Sequence, residues 1–179
     1  MTLTATNITE IDTQTSVSPA AFRDGMASLA GAVSIVTTIG KAGKAGFTAT
    51  AVCSVSDDPA TLLVCLNRSA SVHQIFMHST HLAINTLADK QDNLSNLFGG
   101  KAAMGERFEQ GDWGTLQTGC PVLNTAAVTF DCEIIECKSV ATHDVIFCRV
   151  LDIKQNLDAG ALLYYQRGYY HVTNNTQAK

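Results

Sequence analysis

Charge is scarce in this sequence. Only 16% of its 179 residues are Asp, Glu, Lys or Arg, against roughly 25% in an average soluble domain. Lys+Arg number 12 and Asp+Glu 16, and no basic run occurs, which argues against a nucleic-acid-binding surface. Long hydrophobic runs are also missing. Stretches such as Leu62–Leu66 fall far short of the ~20 residues that a membrane-spanning helix needs. No Lys or Arg precedes Arg23, and residues 2–17 are Thr-rich rather than apolar, which argues against a signal peptide. Aromatic residues make up just 7%, yet hydrophobic residues reach 46%, too many for a disordered chain. One domain over residues 18–173 is expected, with a flexible leader at 1–17 and a tail at 174–179. The expected compartment is cytoplasmic, where thiols stay reduced. Low charge further suggests that some surface is buried against a second copy.

Several chemistries are missing as well. The dinucleotide fingerprint G-x-G-x-x-G, the phosphate loop G-x-x-x-x-G-K-[ST], the nucleophile elbow G-x-S-x-G and the zinc motif H-E-x-x-H do not occur. The six cysteines (53, 65, 120, 132, 137 and 148) form no C-x-x-C pair. Cys132 and Cys137 are an odd number apart, which on a strand puts them on opposite faces. Aliphatic neighbours suggest small buried hydrophobes. His73, His78 and His81 do not share one helical face, so no metal site is expected.

What is present is mostly strand. Ser18-Pro19 starts a helix whose apolar stripe is Phe22, Met26, Leu29 and Ala30, ending near Gly31. Strands are expected over 33–39, 46–56, 61–67, 82–87, 126–137 and 145–154, with a closing hairpin over 162–172. Short helices are expected over 71–78 and 92–98, and a long loop over 100–120. This pattern gives a mainly β fold, an antiparallel barrel or sandwich with a few short helices.

Two segments suggest chemistry. Between Gly46 and Ser56, hydroxyls fall at Thr48, Thr50, Ser54 and Ser56, alternating with Phe47, Ala49, Ala51, Cys53 and Val55. One face is then small and polar, suited to a flat ligand, although an ordinary half-exposed strand has the same pattern. The next strand delivers Asn67, Arg68, Ser69 and Ser71 to a helix start, a place for a phosphate or simply an N-cap. A ring on one strand with its phosphate at the next helix describes a flavin mononucleotide.

The segments Phe22-Arg23-Asp24-Gly25-Met26, Ala45-Gly46-Phe47-Thr48-Ala49-Thr50-Ala51-Val52-Cys53-Ser54-Val55-Ser56, Leu63-Val64-Cys65-Leu66-Asn67-Arg68, Asn96-Leu97-Phe98-Gly99-Gly100-Lys101 and Thr142-His143-Asp144 resemble the short-chain flavin reductases. These are the reductase components of two-component flavin monooxygenases. The likeness runs from about Phe22 to Val172. It is greatest to the NADH-dependent FMN reductases of pyrimidine utilisation, then to the reductase component of 4-hydroxyphenylacetate 3-monooxygenase. Where many relatives carry Gly-Asp-His or Gly-Thr-His, this chain has Ala141-Thr142-His143.

The resemblance implies a homodimeric FMN-binding split β-barrel. It implies hydride transfer from NADH to FMN or FAD, and diffusion of reduced flavin to a partner monooxygenase. It places Thr48, Ala49, Thr50, Ala51, Cys53, Ser54, Asn67, Arg68, Ser69, Ser71, Phe98 and Lys101 at the flavin. His143 becomes the catalytic candidate that orients nicotinamide, with Arg167, Tyr169 and Tyr170 also on the NADH side. Neither nucleic acid nor membrane is an expected partner. Two other readings remain open: a flavin- or haem-binding split-barrel protein without catalysis, and a pyridoxine-phosphate-type oxidase.

Overall fold

The computed structural model describes residues 17–41 and 43–173. The expected tail and all of the expected leader except Val17 lie outside the described residues. The chain begins with α1 (Pro19–Ala27), followed by β1 (Gly31–Ala32), β2 (Ser34–Gly40), β3 (Gly43–Ala49), β4 (Val52–Asp57) and β5 (Ala60–Asn67). Next come α2 (His73–Met77), β6 (His81–Thr86), α3 (Asp92–Gly99), α4 (Met104–Glu109), β7 (Trp113–Thr115) and β8 (Pro121–Leu123). The long strands β9 (Val128–Val140) and β10 (His143–Gln155) precede the hairpin β11 (Ala161–Tyr165) and β12 (Gly168–Val172).

A seven-stranded antiparallel sheet dominates, in the order β3-β2-β6-β9-β10-β5-β4. Its two edges, β3 and β4, are consecutive in the chain and joined only by Thr50 and Ala51. The sheet must therefore curl until its edges meet, as its inherent twist allows. The Cys65 N–H donates to the Ala51 carbonyl at 3.1 Å, which extends the β4–β5 pairing to the seam, and β3 and β4 form no ladder with each other. This is a split β-barrel.

Strand β2 shows why simple alternation fails here. Ser34, Ile35, Val36, Thr37 and Thr38 are all buried, because both faces of the strand are covered. Val36 joins the barrel interior with Val64, Leu66, Ile84, Ile146 and Phe76. Ile35 joins a second core with Leu87, Phe98, Leu123 and Leu162. The buried Asn85 satisfies the polar groups between them: its amide donates to the Ile35 carbonyl at 3.0 Å and accepts from Leu123 N–H at 2.8 Å.

Four expectations change. The strand expected over 46–56 is two strands, because the chain breaks at Thr50–Ala51 to cross the seam. Ala49 is buried, but Cys53 is exposed and Val55 is 50% exposed, so the apolar set does not stay inside. Helix α1 stops at Ala27, and its stripe meets no core of this chain: Phe22, Met26 and Leu29 are all exposed. The loop expected over 100–120 contains α4 and β7, locked by a cluster of Phe98, Phe108 and Trp113 with ring centroids 5.1–5.5 Å apart. Among the cysteines, Cys120, Cys132 and Cys148 are buried while Cys53 and Cys137 are exposed. Burial pushes the Cys148 thiol up to about 12, which leaves it unreactive.

Candidate flavin site

Where the barrel splits, a cavity of about 350 Å³ opens, a size typical of small-molecule clefts (roughly 300–1,000 Å³). One wall is the end of β3 and the seam, Thr48 to Ala51. Facing it are Asn67 at the end of β5, the turn Ala70–Val72 before α2, and His143 at the start of β10. Phe98, Gly99, Gly100 and Arg107 close the third side.

The β3 wall is flat because its side chains are small and one of them is tied back. Thr48 Oγ1 donates to the Ser95 carbonyl of α3 at 2.7 Å. Phe98 packs on Gly46, where a Cβ would meet the ring at 2.8 Å, so glycine is required for this approach.

The turn after β5 is organised by one side chain. Asn67 Oδ1 accepts from Ser69 N–H at 2.9 Å and from Ser69 Oγ at 2.8 Å. Arg68 N–H donates to the Thr142 carbonyl at 2.9 Å, which joins this turn to the β9–β10 hairpin. His143 lies opposite Asn67 in the ladder, and its Nδ1 is 2.9 Å from Thr142 Oγ1. Beneath them Asp144 is 3% exposed, with its carboxylate 2.5 Å from both His73 Nε2 and Ser139 Oγ. The hydrogen bond from His73, then that from Ser139, holds the Asp144 carboxyl below its ordinary range.

Of the residues expected at a flavin, Thr48, Ala49, Thr50, Ala51, Asn67, Ser71 and Phe98 line this cavity, and so does His143, expected to orient nicotinamide. Arg68 and Ser69 line an adjoining cleft that shares Asn67 with it. Cys53 and Ser54 lie on the exposed edge strand β4, and Lys101 lines a shallow cleft beside α3 that shares Gly100 with the cavity. The residues expected at NADH scatter. Arg167 pairs with Asp24 at 2.5 Å and lines a larger cleft of about 850 Å³ that meets the cavity at Thr50 and Ala51. The Tyr169 hydroxyl is 2.9 Å from Ser95 Oγ and 3.0 Å from Asn96 Oδ1. Tyr170 is 50% exposed and stacks edge-on with Tyr165.

Sequence reasoning missed Cys65 and Arg107. Cys65 lines the cavity, and burial pushes its thiol up. Arg107 lies within the span expected as a loop, and no periodicity there marks it as buried.

The small flat wall, the polar turn and a cation without any acidic neighbour in the lining fit a flat anionic ligand such as a flavin nucleotide. Comparison with known proteins points the same way. Residues 26–173 match the family model described as flavin reductase like domain. The chain is 52% identical over 162 residues to an FMN reductase (NADH) RutF of Pseudomonas syringae, covering 90% of this chain and 91% of that one. It is 56% identical over 151 residues to the protein of that name from Klebsiella pneumoniae, covering 84% and 92%. The crystal structure of a proposed flavin reductase from Haemophilus somnus superposes with a TM-score of 0.85 at 48% identity, covering 87% of this chain and 100% of that one. The chain belongs to the flavin reductase family of enzymes.

Proposed function

We propose that this flavin reductase moves a hydride from NADH to FMN held in the cavity at the barrel seam and supplies reduced flavin to a separate monooxygenase. The observation that carries the reading is the cavity itself, with its wall of small residues at Thr48–Ala51 and its polar turn at 67–71. The relatives' shared name, FMN reductase (NADH), supports both FMN and NADH. Bound flavin would supply the two-electron acceptor. The chain's own residues then have only to bind, orient and exclude. Thr48 to Ala51 would carry the ring. Asn67, Arg68, Ser69 and Ser71 would take the phosphate, and His143 would orient nicotinamide at the cavity edge. No acid–base pair is required, since hydride transfer to the ring moves no proton.

Residues 18–173 form the working unit in this reading, in the cytoplasm and as a homodimer. Exposed Phe22, Met26 and Leu29 line the larger cleft beside the cavity, and a second copy would cover them. Among the described residues no helix is long and apolar enough to cross a membrane.

The deciding experiment follows NADH oxidation with and without added FMN, FAD and riboflavin. Turnover that requires flavin and is fastest with FMN supports the reading. Negligible turnover with flavin tightly retained would make the chain a binding protein instead.

A further inference from the structure

Arg107 is 5% exposed and lines the cavity, yet no carboxylate pairs with it among the described residues. Its partners are backbone carbonyls. Nε donates to Ala102 at 3.0 Å, Nη1 to Gly46 at 3.2 Å and Phe98 at 2.8 Å, and Nη2 to Gly100 at 2.8 Å. Those bonds use four of the five N–H groups of a guanidinium. They solvate the charge without cancelling it. A buried cation lacking a counter-ion is normally unfavourable, and a site that keeps one is set up for a negative ligand. Among the described residues lining the cavity, Arg107 alone has a permanent charge. The other ionisable groups there are His143 and Cys65. This local positive excess stands out in a chain of formal net charge −4.

We propose that Arg107 supplies the counter-charge for the negative charge a flavin ring gains on reduction, and so sets the cavity's relative affinity for reduced and oxidised flavin. The inference rests on the flavin reading of the cavity. The electron count is simple. A C–H bond of the dihydronicotinamide breaks and its electron pair leaves with the hydrogen. NADH is oxidised to NAD⁺, and an N–H bond forms on the ring. The ring is neutral before the transfer and carries one negative charge after it, with no proton taken from solvent. The phosphate is the same in both forms, so a charge beside the ring is felt in the difference between them. Removing a unit charge from a partly buried site is worth about tenfold or more in that difference.

The test measures equilibrium binding of oxidised FMN, and of dithionite-reduced FMN under anaerobic conditions, to three proteins: wild type, Arg107→Gln and Arg107→Lys. Arg107→Gln is expected to weaken reduced FMN about tenfold more than oxidised FMN. Arg107→Lys keeps the charge but cannot span the carbonyls, so it should weaken both forms alike and keep the wild-type ratio. Equal losses for both forms in Arg107→Gln would overturn the proposal and leave the side chain a strap. If circular dichroism shows that Arg107→Gln does not fold, the wild-type protein decides. Bound reduced FMN that stays anionic at pH values where free reduced FMN takes up a proton supports the proposal, and protonation at the same pH as free reduced FMN overturns it. Ala51→Trp, which puts bulk on the cavity wall, separates this failure from the other. Wild-type FMN affinity in Ala51→Trp overturns the flavin reading of the cavity and the role of Arg107 with it. Loss of FMN binding there, with equal losses in Arg107→Gln, overturns only the latter.

Discussion

The cavity has two unlike sides. The Gly46–Phe98–Arg107 side is dry and rigid: Phe98 is 1% exposed, Arg107 is 5% exposed, and every bond from the guanidinium goes to backbone. The Asn67–Ser71 side is an exposed turn whose hydrogen bonds are short-range, tied to the rest through the Arg68–Thr142 bond and the buried Asp144. A dry side can hold a charge at full strength but tolerates no added atom. A wet side screens its charges and can adapt to a ligand that comes and goes.

That contrast can be broken most sharply at its buried points. Asp144→Ala leaves His73 and Ser139 without their shared acceptor and should destabilise the fold by about 3 kcal/mol, read by denaturant unfolding. The sign of the pH effect follows from the lowered folded pKa of Asp144. Its contribution is fully present above the ordinary carboxylate value and is lost as pH falls through the folded value. An acid-unfolding profile of Asp144→Ala that matches wild type would remove it from this role. Next, Gly46→Val forces atoms against the Phe98 ring and the Val36 carbonyl, which a Cβ alone would approach to 2.8 and 3.1 Å. We expect a loss of about 2 kcal/mol together with weaker FMN binding, measured by thermal melts and flavin titration.

On the wet side the effects should be smaller and ligand-specific. His143→Ala should raise KM for NADH or lower kcat about tenfold, while the Kd for FMN changes little. Equal wild-type kinetics would take His143 out of the site. Arg68→Ala should weaken FMN by about 1 kcal/mol and leave riboflavin unchanged, since only FMN has the phosphate. Identical losses for both ligands would sink the phosphate assignment. The smallest effect is a gain. Ala141 sits at φ 50°, in the left-handed region that glycine adopts freely. Ala141→Gly should add up to about 1 kcal/mol of stability, seen as a higher Tm, without altering FMN affinity.

The wet side was the more legible one. Asn67, Arg68, Ser69 and Ser71 announce themselves because a polar cluster between a hydrophobic strand and a helix either caps the helix or receives an anion. The exposed departure at Ala141-Thr142-His143 could be read by likeness alone. The dry side was nearly silent. Arg107 looks like any surface arginine in Met104–Glu109 until Gly46, Phe98, Gly100 and Ala102 bring their carbonyls to it. Tyr169 shows the same silence. The resemblance placed it on the NADH side, and only the fold shows that Ser95 and Asn96 of α3 meet its hydroxyl.

By itself, the sequence determined a chain too apolar to be disordered and poor in charge of either sign. It also set the apolar strand runs that become β5, β9 and β10, and the small side chains of Thr48–Ala51. These are local properties, governed by composition and by alternation along one strand. Only the tertiary structure decided that the stretch 46–56 breaks at the seam. The cause is that β3 and β4 end on opposite edges of a sheet that must curl to reunite them. The same closure buries β2 on both faces and gathers carbonyls from separate segments around one guanidinium. No single segment contains that information, because the electrostatics of Arg107 belong to the groups the fold places around it.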